Sequence, residues 1–205
     1  MKIGSMFAGI GGMCLGFNQA GSEIVWANEI DSFTCKTYRC NFGDSYLKEG
    51  DICSVDKTLI PNIDILTAGF PCQSFSVMGK QKGFADPRGA MYFEILKVID
   101  EKQPPIVLLE NVKNLVGHDN GKTFLTIYNT LAERGYGVKY ALLGADKHGN
   151  TPQIRDRIFL AAFKDYEQME KFQFPNEITL DVTINDIVKR NQCTIMERKT
   201  NIIRY

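Results

Sequence analysis

Cys72 sits in Gly69-Phe70-Pro71-Cys72-Gln73-Ser74-Phe75-Ser76, directly after the apolar run Ile63-Asp64-Ile65-Leu66-Thr67-Ala68. That run predicts a buried strand, so the cysteine leaves it at a sheet edge, where open α/β sheets keep their chemistry. A thiol between proline and a polar Gln-Ser pair, followed by the glycine-spaced loop from Gly79 to Gly89, fits a nucleophile beneath a closing cover. A second feature follows the next apolar run, Pro105-Ile106-Val107-Leu108-Leu109, which delivers Glu110-Asn111-Val112 to the same edge and projects an acid beside Cys72. A third is Gln153-Ile154-Arg155-Asp156-Arg157, whose alternation on a strand points Gln153, Arg155 and Arg157 to one face. Arginine close to a cysteine favours its thiolate, whereas an isolated buried thiol is inert. Plainer readings stand beside these: a strand-end glutamate caps a helix, and alternating arginines line an exposed edge.

A second group of residues suits a bound nucleoside. Phe7-Ala8-Gly9-Ile10-Gly11-Gly12 follows the first predicted strand and opens the first predicted helix, so its glycines let a ligand approach the backbone and the helix N-terminus. It is a poor dinucleotide fingerprint, because Met13 and Cys14 follow Gly12 where a third glycine would be needed. A tight strand-to-helix turn without a ligand explains the same glycines. Two carboxylates tilt the balance: Glu29 closes the second predicted strand, and Asp51 stands where a third should end. At the edge of a doubly wound sheet, the first is placed for ribose hydroxyls and the second for an adenine amino group. Each also suits a helix cap or a surface charge, with Asp31 the better cap beside Glu29.

Around these residues, strand-like runs alternate with segments of helical period. Strands are predicted at 2–7, 23–28, 63–68 and 105–109, with closing strands near 136–143 and 157–163. Helices are predicted at 12–20, 31–42, 90–101 and 121–134. This alternation predicts an α/β fold with a doubly wound, mostly parallel sheet. The rhythm is lost after Lys164, so residues 1–164 read as one cofactor-binding and catalytic domain and 165–205 as a connection. Lysine plus arginine equal aspartate plus glutamate at 24 each, which argues against a wholly basic coat. Lys80, Lys82 and Arg88 form a local basic face or simply solvated loop charges. The six cysteines show no paired spacing, and with two histidines and no close Cys/His cluster no metal site is expected. No run is long enough to span a bilayer and the start does not resemble a signal peptide, so a cytoplasmic protein is expected.

In this order, Phe-Ala-Gly-Ile-Gly-Gly, Pro-Cys-Gln, Glu-Asn-Val, Gln-x-Arg-x-Arg and the loop 79–89 closely resemble the cytosine carbon-5 DNA methyltransferases, over residues 2 to about 163. The resemblance implies the Rossmann-like fold of S-adenosylmethionine-dependent methyltransferases, S-adenosylmethionine as cofactor and DNA as partner. It implies that Cys72 attacks carbon 6 of cytosine and that Glu110 engages ring nitrogen 3. Arg157 would contact the base oxygen, and Arg155 a phosphate or the loop. Phe7, Gly9, Ile10, Gly11, Gly12, Glu29, Ile30, Asp51, Ile52, Pro71 and Met91 would line the methyl-donor site. The base must leave the duplex to reach such a site, with Met78 or Gln81 filling the vacated stack.

After Gln-x-Arg-x-Arg, the family continues into a target-recognition region, a further arginine motif and a Gly-Asn-Ser helix, none of which is found here. The chain therefore reads as the catalytic part of an enzyme from a bacterial or phage modification system, either a shortened fragment or a subunit completed by a complementary subunit that carries the recognition region. Weak DNA affinity alone and an exposed apolar patch where the final helix would pack are expected. Two alternatives belong to other classes: a non-catalytic module that binds S-adenosylmethionine or a partner, and a transfer-RNA cytosine methyltransferase, with which Pro71-Cys72-Gln73 is equally compatible. A nicotinamide dehydrogenase is discounted on the missing glycine.

Overall fold

The computed structural model describes residues 1–71 and 90–188. Cys72, the loop 79–89 with Lys80, Lys82 and Arg88, Met78, Gln81, Cys193 and the tail from Arg198 lie outside the described residues.

Seven strands form one sheet: β1 (Lys2–Met6), β2 (Glu23–Glu29), β3 (Leu47–Glu49), β4 (Ile65–Gly69), β5 (Ile106–Val112), β6 (Gly137–Gly144) and β7 (Asp156–Phe163), in the order β3-β2-β1-β4-β5-β7-β6. The pairings β1 with β2 and β4, β2 with β3, and β4 with β5 are parallel. Helices α1 (Gly12–Gln19), α2 (Ser32–Phe42), α3 (Ala90–Lys102), α4 (Lys122–Ala132), α5 (Ala145–His148) and α6 (Tyr166–Lys171) connect or follow them. The expected doubly wound, mostly parallel α/β sheet is the one observed.

Burial explains why these segments take these forms. β1 and β4 are buried along nearly their whole length, the polar Ser5 and Thr67 included, as central parallel strands covered on both faces must be. On one face Ile3, Ala27 and Ile65 pack with Cys14 of α1 and Tyr38 of α2. On the other, Met6, Leu66 and Ala68 join Tyr92, Ile95 and Ile99 of α3 and Ile127 and Leu131 of α4. The α3 spacing Tyr92, Ile95, Leu96, Ile99 is the i, i+3, i+4, i+7 stripe of a core-facing helix.

The chain runs outward through β1, β2 and β3, then returns to place β4 on the other side of β1 and runs outward again to β5. The order reverses between β1 and β4, and the crevice beyond their carboxyl ends is where such sheets bind ligands.

The chain divides into two compact units, Met1–Ala141 with Ile158–Phe172, and Leu142–Arg157 with the chain from Gln173 onward. In the second, Ala145 N–H donates to Arg155 O (3.1 Å), Ile178 N–H to Lys147 O (2.7 Å), and Lys147 pairs with Glu177 at 3.2 Å. In the first, Asp165 caps α6, a helix the sequence reading missed because six residues are too few for a clear period.

One expectation is corrected. β7 begins at Asp156, so Gln153 and Arg155 precede it and strand alternation does not align them with Arg157. The local backbone explains this: Gly149 and Thr151 N–H both donate to Ala145 O, and Gln153 N–H turns back onto Thr151 O (2.7 Å). A segment closing turns around Pro152 is not extended enough to join a ladder.

Candidate functional site

Glu29, the last residue of β2, lies beside the glycine loop. Its Oε2 accepts the Gly9 N–H (2.9 Å), and its Oε1 accepts the N–H groups of Ile30 (2.9 Å) and Asp31 (3.0 Å). It does not cap α2; Asp31 does, through Thr34 N–H at 2.7 Å. The loop itself is held in left-handed backbone, with φ of 52° at Phe7, 57° at Gly9 and 94° at Gly11. Phe7 tolerates this poorly for a residue with a Cβ, and such strain collects at ligand sites. A Cβ on Gly11 would overlap the Phe42 ring. Gly11 is also the N-cap of α1 and has no side chain to cap it, so the first N–H groups of that helix lack a side-chain acceptor.

Asp51 follows β3 and caps a 3-10 turn at Ile52–Ser54, its Oδ1 accepting the Cys53 N–H (2.9 Å). A carboxylate has about four acceptor positions, so this cap leaves room for a ligand donor. The Asp51 side is tied to the Glu29 side by backbone and by one buried amide. Gly50 N–H donates to Glu29 O (2.8 Å), and Asn28 Nδ2 donates to both Lys48 O and Gly50 O (2.9 Å each). Arg39 of α2 braces the same segment through Asp44 (2.5 Å) and Glu49 (2.6 Å). Ile10 and Ile30 are exposed at this edge, Ile52 is buried, and Phe7 and Met91 pack half-buried against one core cluster.

The other side of the candidate site is built where β4 and β5 end. Gly69 pairs in register with Glu110, and a Cβ on Gly69 would lie 3.2 Å from Glu110 Oε2. Glycine at this position is what lets the acid stand over the end of β4, three residues before Cys72. The next residue along β5, Asn111, is buried and donates its Nδ2 to Phe70 O (2.8 Å). Phe70 is anchored in turn against Tyr92 of α3, ring centroids 5.6 Å apart, and the Tyr92 hydroxyl donates to Ile127 O of α4 (3.2 Å). Pro71, the last described residue before Cys72, is exposed.

Beneath the Asp51 turn lies a buried ion pair, Lys57 to Glu94 Oε2 at 2.6 Å, with Lys97 on Oε1 at 2.6 Å. Burial alone would raise the Glu94 pKa, but the Lys57 and Lys97 ammonium groups outweigh it and hold it below its ordinary value. Burial pushes the Cys35 thiol up, with Glu49 and Glu29 adding to the effect, which leaves it an inert packing group.

Phe7, Gly9, Ile10, Gly11, Gly12, Glu29, Ile30, Asp51, Ile52, Pro71 and Glu110 thus lie at or just beyond the carboxyl ends of β1 to β5, within one unit. Arg155 is exposed and Arg157 half-buried, both in the second unit. Sequence reasoning did not single out Asn28, Asn111 or the Lys57–Glu94 pair as working residues. The two asparagines carried a signal, since asparagine is disfavoured in strands and each stands next to an acid at a strand end.

The residues present fit an adenosyl group bearing an amino-acid tail. Two carboxylates at fixed spacing offer acceptors to hydroxyl and amino donors, a glycine turn leads to an uncapped helix end, and Phe7 and Met91 offer apolar contact. Comparison with known proteins agrees with the geometry. The family model for C-5 cytosine-specific DNA methylase matches residues 1–204. Type II methyltransferase M.Bsp6I of Bacillus sp. (strain RFL6) is 46% identical over 190 residues, 92% of this chain and 60% of that protein. Type II methyltransferase M.HhaI of Haemophilus parahaemolyticus is 43% identical over 188 residues, 92% of this chain and 57% of that one. The crystal structure of S. pombe Dnmt2 superposes with a TM-score of 0.66 at 24% identity, over 92% of this chain and 55% of that one, which is agreement of fold. The chain spans less than two thirds of each of these proteins.

Proposed function

From the membership of this chain in the C-5 cytosine-specific DNA methylase family, we propose that it is the catalytic part of an enzyme that methylates carbon 5 of cytosine in DNA. The observation that carries the proposal is the Gly69–Glu110 register, which stands an acid over the strand that leads into Cys72. Bound S-adenosylmethionine supplies an electrophilic methyl group. Glu29 accepts from the ribose hydroxyls, Asp51 from the adenine amino group, and the loop 7–12 lies against the remainder, with Ile30, Ile52, Pro71 and Met91 as apolar neighbours.

Carbon 5 of cytosine is a weak nucleophile. The Cys72 thiolate adds to carbon 6, forming a C–S bond and moving the ring electron pair to carbon 5, while Glu110 shares a proton with ring nitrogen 3 so that charge does not build up there. Once carbon 5 is methylated, loss of its proton returns the pair and expels Cys72 as thiolate. Arg157 contacts the base oxygen and Arg155 a phosphate or the loop. Residues 165–205 lead toward a target-recognition region, carried by the same polypeptide or by a complementary subunit, and the enzyme acts in the cytoplasm.

The test is transfer of labelled methyl from S-adenosylmethionine to unmethylated duplex DNA of mixed sequence, with transfer RNA as a parallel acceptor. Transfer to DNA that vanishes in Cys72→Ala supports the proposal. Transfer to RNA alone, or tight binding of S-adenosylmethionine with no transfer even when a recognition subunit is added, refutes it.

A further inference from the structure

We propose that the buried Lys57–Glu94 pair is a positioning device for adenine recognition: it fixes the Asp51–Val55 turn so that the site selects adenosine over other nucleosides. This rests on the proposed binding of an adenosyl methyl donor and extends it to residues that make no ligand contact.

Lys57 reaches back from the start of its own 3-10 turn to the preceding one. Its ammonium donates to Ile52 O (2.5 Å) and Val55 O (3.0 Å) and lies 2.6 Å from Glu94 Oε2 as an ion pair that lacks hydrogen-bond geometry. Ile52 and Val55 bracket the turn that Asp51 caps. Glu94 comes from α3, whose Lys102 also reaches this segment, donating to Thr58 O (2.8 Å). The segment is therefore held from below by α3 at two points. From its other end it is held by Asn28 and the Glu29–Gly50 hydrogen bond.

Stability does not account for the pair. Both side chains are largely buried, 12% and 5% exposed, and a buried ion pair is commonly no more stabilising than apolar residues of the same volume. An apolar pair at this place could not donate to two carbonyls. Those two hydrogen bonds orient the peptide planes on either side of the turn, and with them the Asp51 carboxylate whose aim decides whether an amino group or a carbonyl at adenine position 6 is accepted.

The test is calorimetric titration of the full chain with S-adenosylhomocysteine and with its inosine analogue, in which a carbonyl replaces the 6-amino group. The wild type is expected to favour the adenosine form by on the order of a hundredfold or more, because a carboxylate facing a carbonyl is left unpaired. In Lys57→Met/Glu94→Leu, which keeps volume and removes both charges, the preference falls by about tenfold, the worth of roughly one well-aligned hydrogen bond. Lys57→Arg, which keeps a donor, retains most of it. Lys57→Gln is measured beside the double variant, and whichever unfolds cooperatively decides the question. An unchanged preference in a folded variant overturns the inference. A wild type that binds neither ligand overturns the cofactor reading instead, so the two failures are distinguishable.

Discussion

At the scale of single residues, Asn111 links core to chemistry. Its amide is buried, its Nδ2 serves the Phe70 carbonyl and its Oδ1 accepts the Val112 N–H (2.9 Å). Removing it takes away the Asn111–Phe70 hydrogen bond two residues before Cys72, a loss of about 1 kcal/mol. Asn111→Ala is expected to lower the free energy of unfolding measured in urea by that amount and to lower kcat for methyl transfer more than it raises KM for S-adenosylmethionine. A loss of stability with kcat unchanged would show that the residue merely supports the fold. Glu110 and Cys72 are proposed from sequence because an acid and a thiol at strand exits are unusual there, and the structure stands Glu110 over Gly69. Asn111, within the same Glu-Asn-Val segment, is not proposed from sequence, because an amide announces no chemistry until its partner is known.

Among the elements, the loop between β1 and α1 is closely constrained. Its positive φ at Phe7, Gly9 and Gly11 and the contact of Gly11 with Phe42 were invisible in the sequence except as glycines. Gly12, by contrast, has open space around it. Gly11→Ala faces both a left-handed backbone and the Phe42 ring, so it is expected to cost about 2 kcal/mol or more. Gly12→Ala is expected to cost under about 1 kcal/mol. Thermal unfolding of the two variants side by side checks the contrast, and equal losses would contradict the loop geometry. The Gln-x-Arg-x-Arg segment shows the opposite failure: alternation suggested a strand, and the turns around Pro152 prevent it up to Arg155.

For the molecule as a whole, a crevice at the switch between β1 and β4 binds its ligand only when the strands are assembled. S-Adenosylmethionine at about a hundred times its Kd is then expected to stabilise the chain by about 2.7 kcal/mol, raising Tm by roughly 5–10 °C for a chain of this size. Glu29→Ala is expected to abolish most of that rise, whereas a shift that survives intact would place the ligand elsewhere. Among the described residues no helix is long and apolar enough to cross a membrane. Local sequence determined the class of the fold, the strand exits and the residue types that carry chemistry, because hydrophobic period and motif order are properties of neighbouring residues. The tertiary structure alone decided that Glu110 stands over Gly69, that Asn28 ties Glu29 to the Asp51 segment and that Lys57 meets Glu94. Those contacts join residues between 20 and 41 positions apart, and their geometry exists only once strand order and helix packing have brought the segments together.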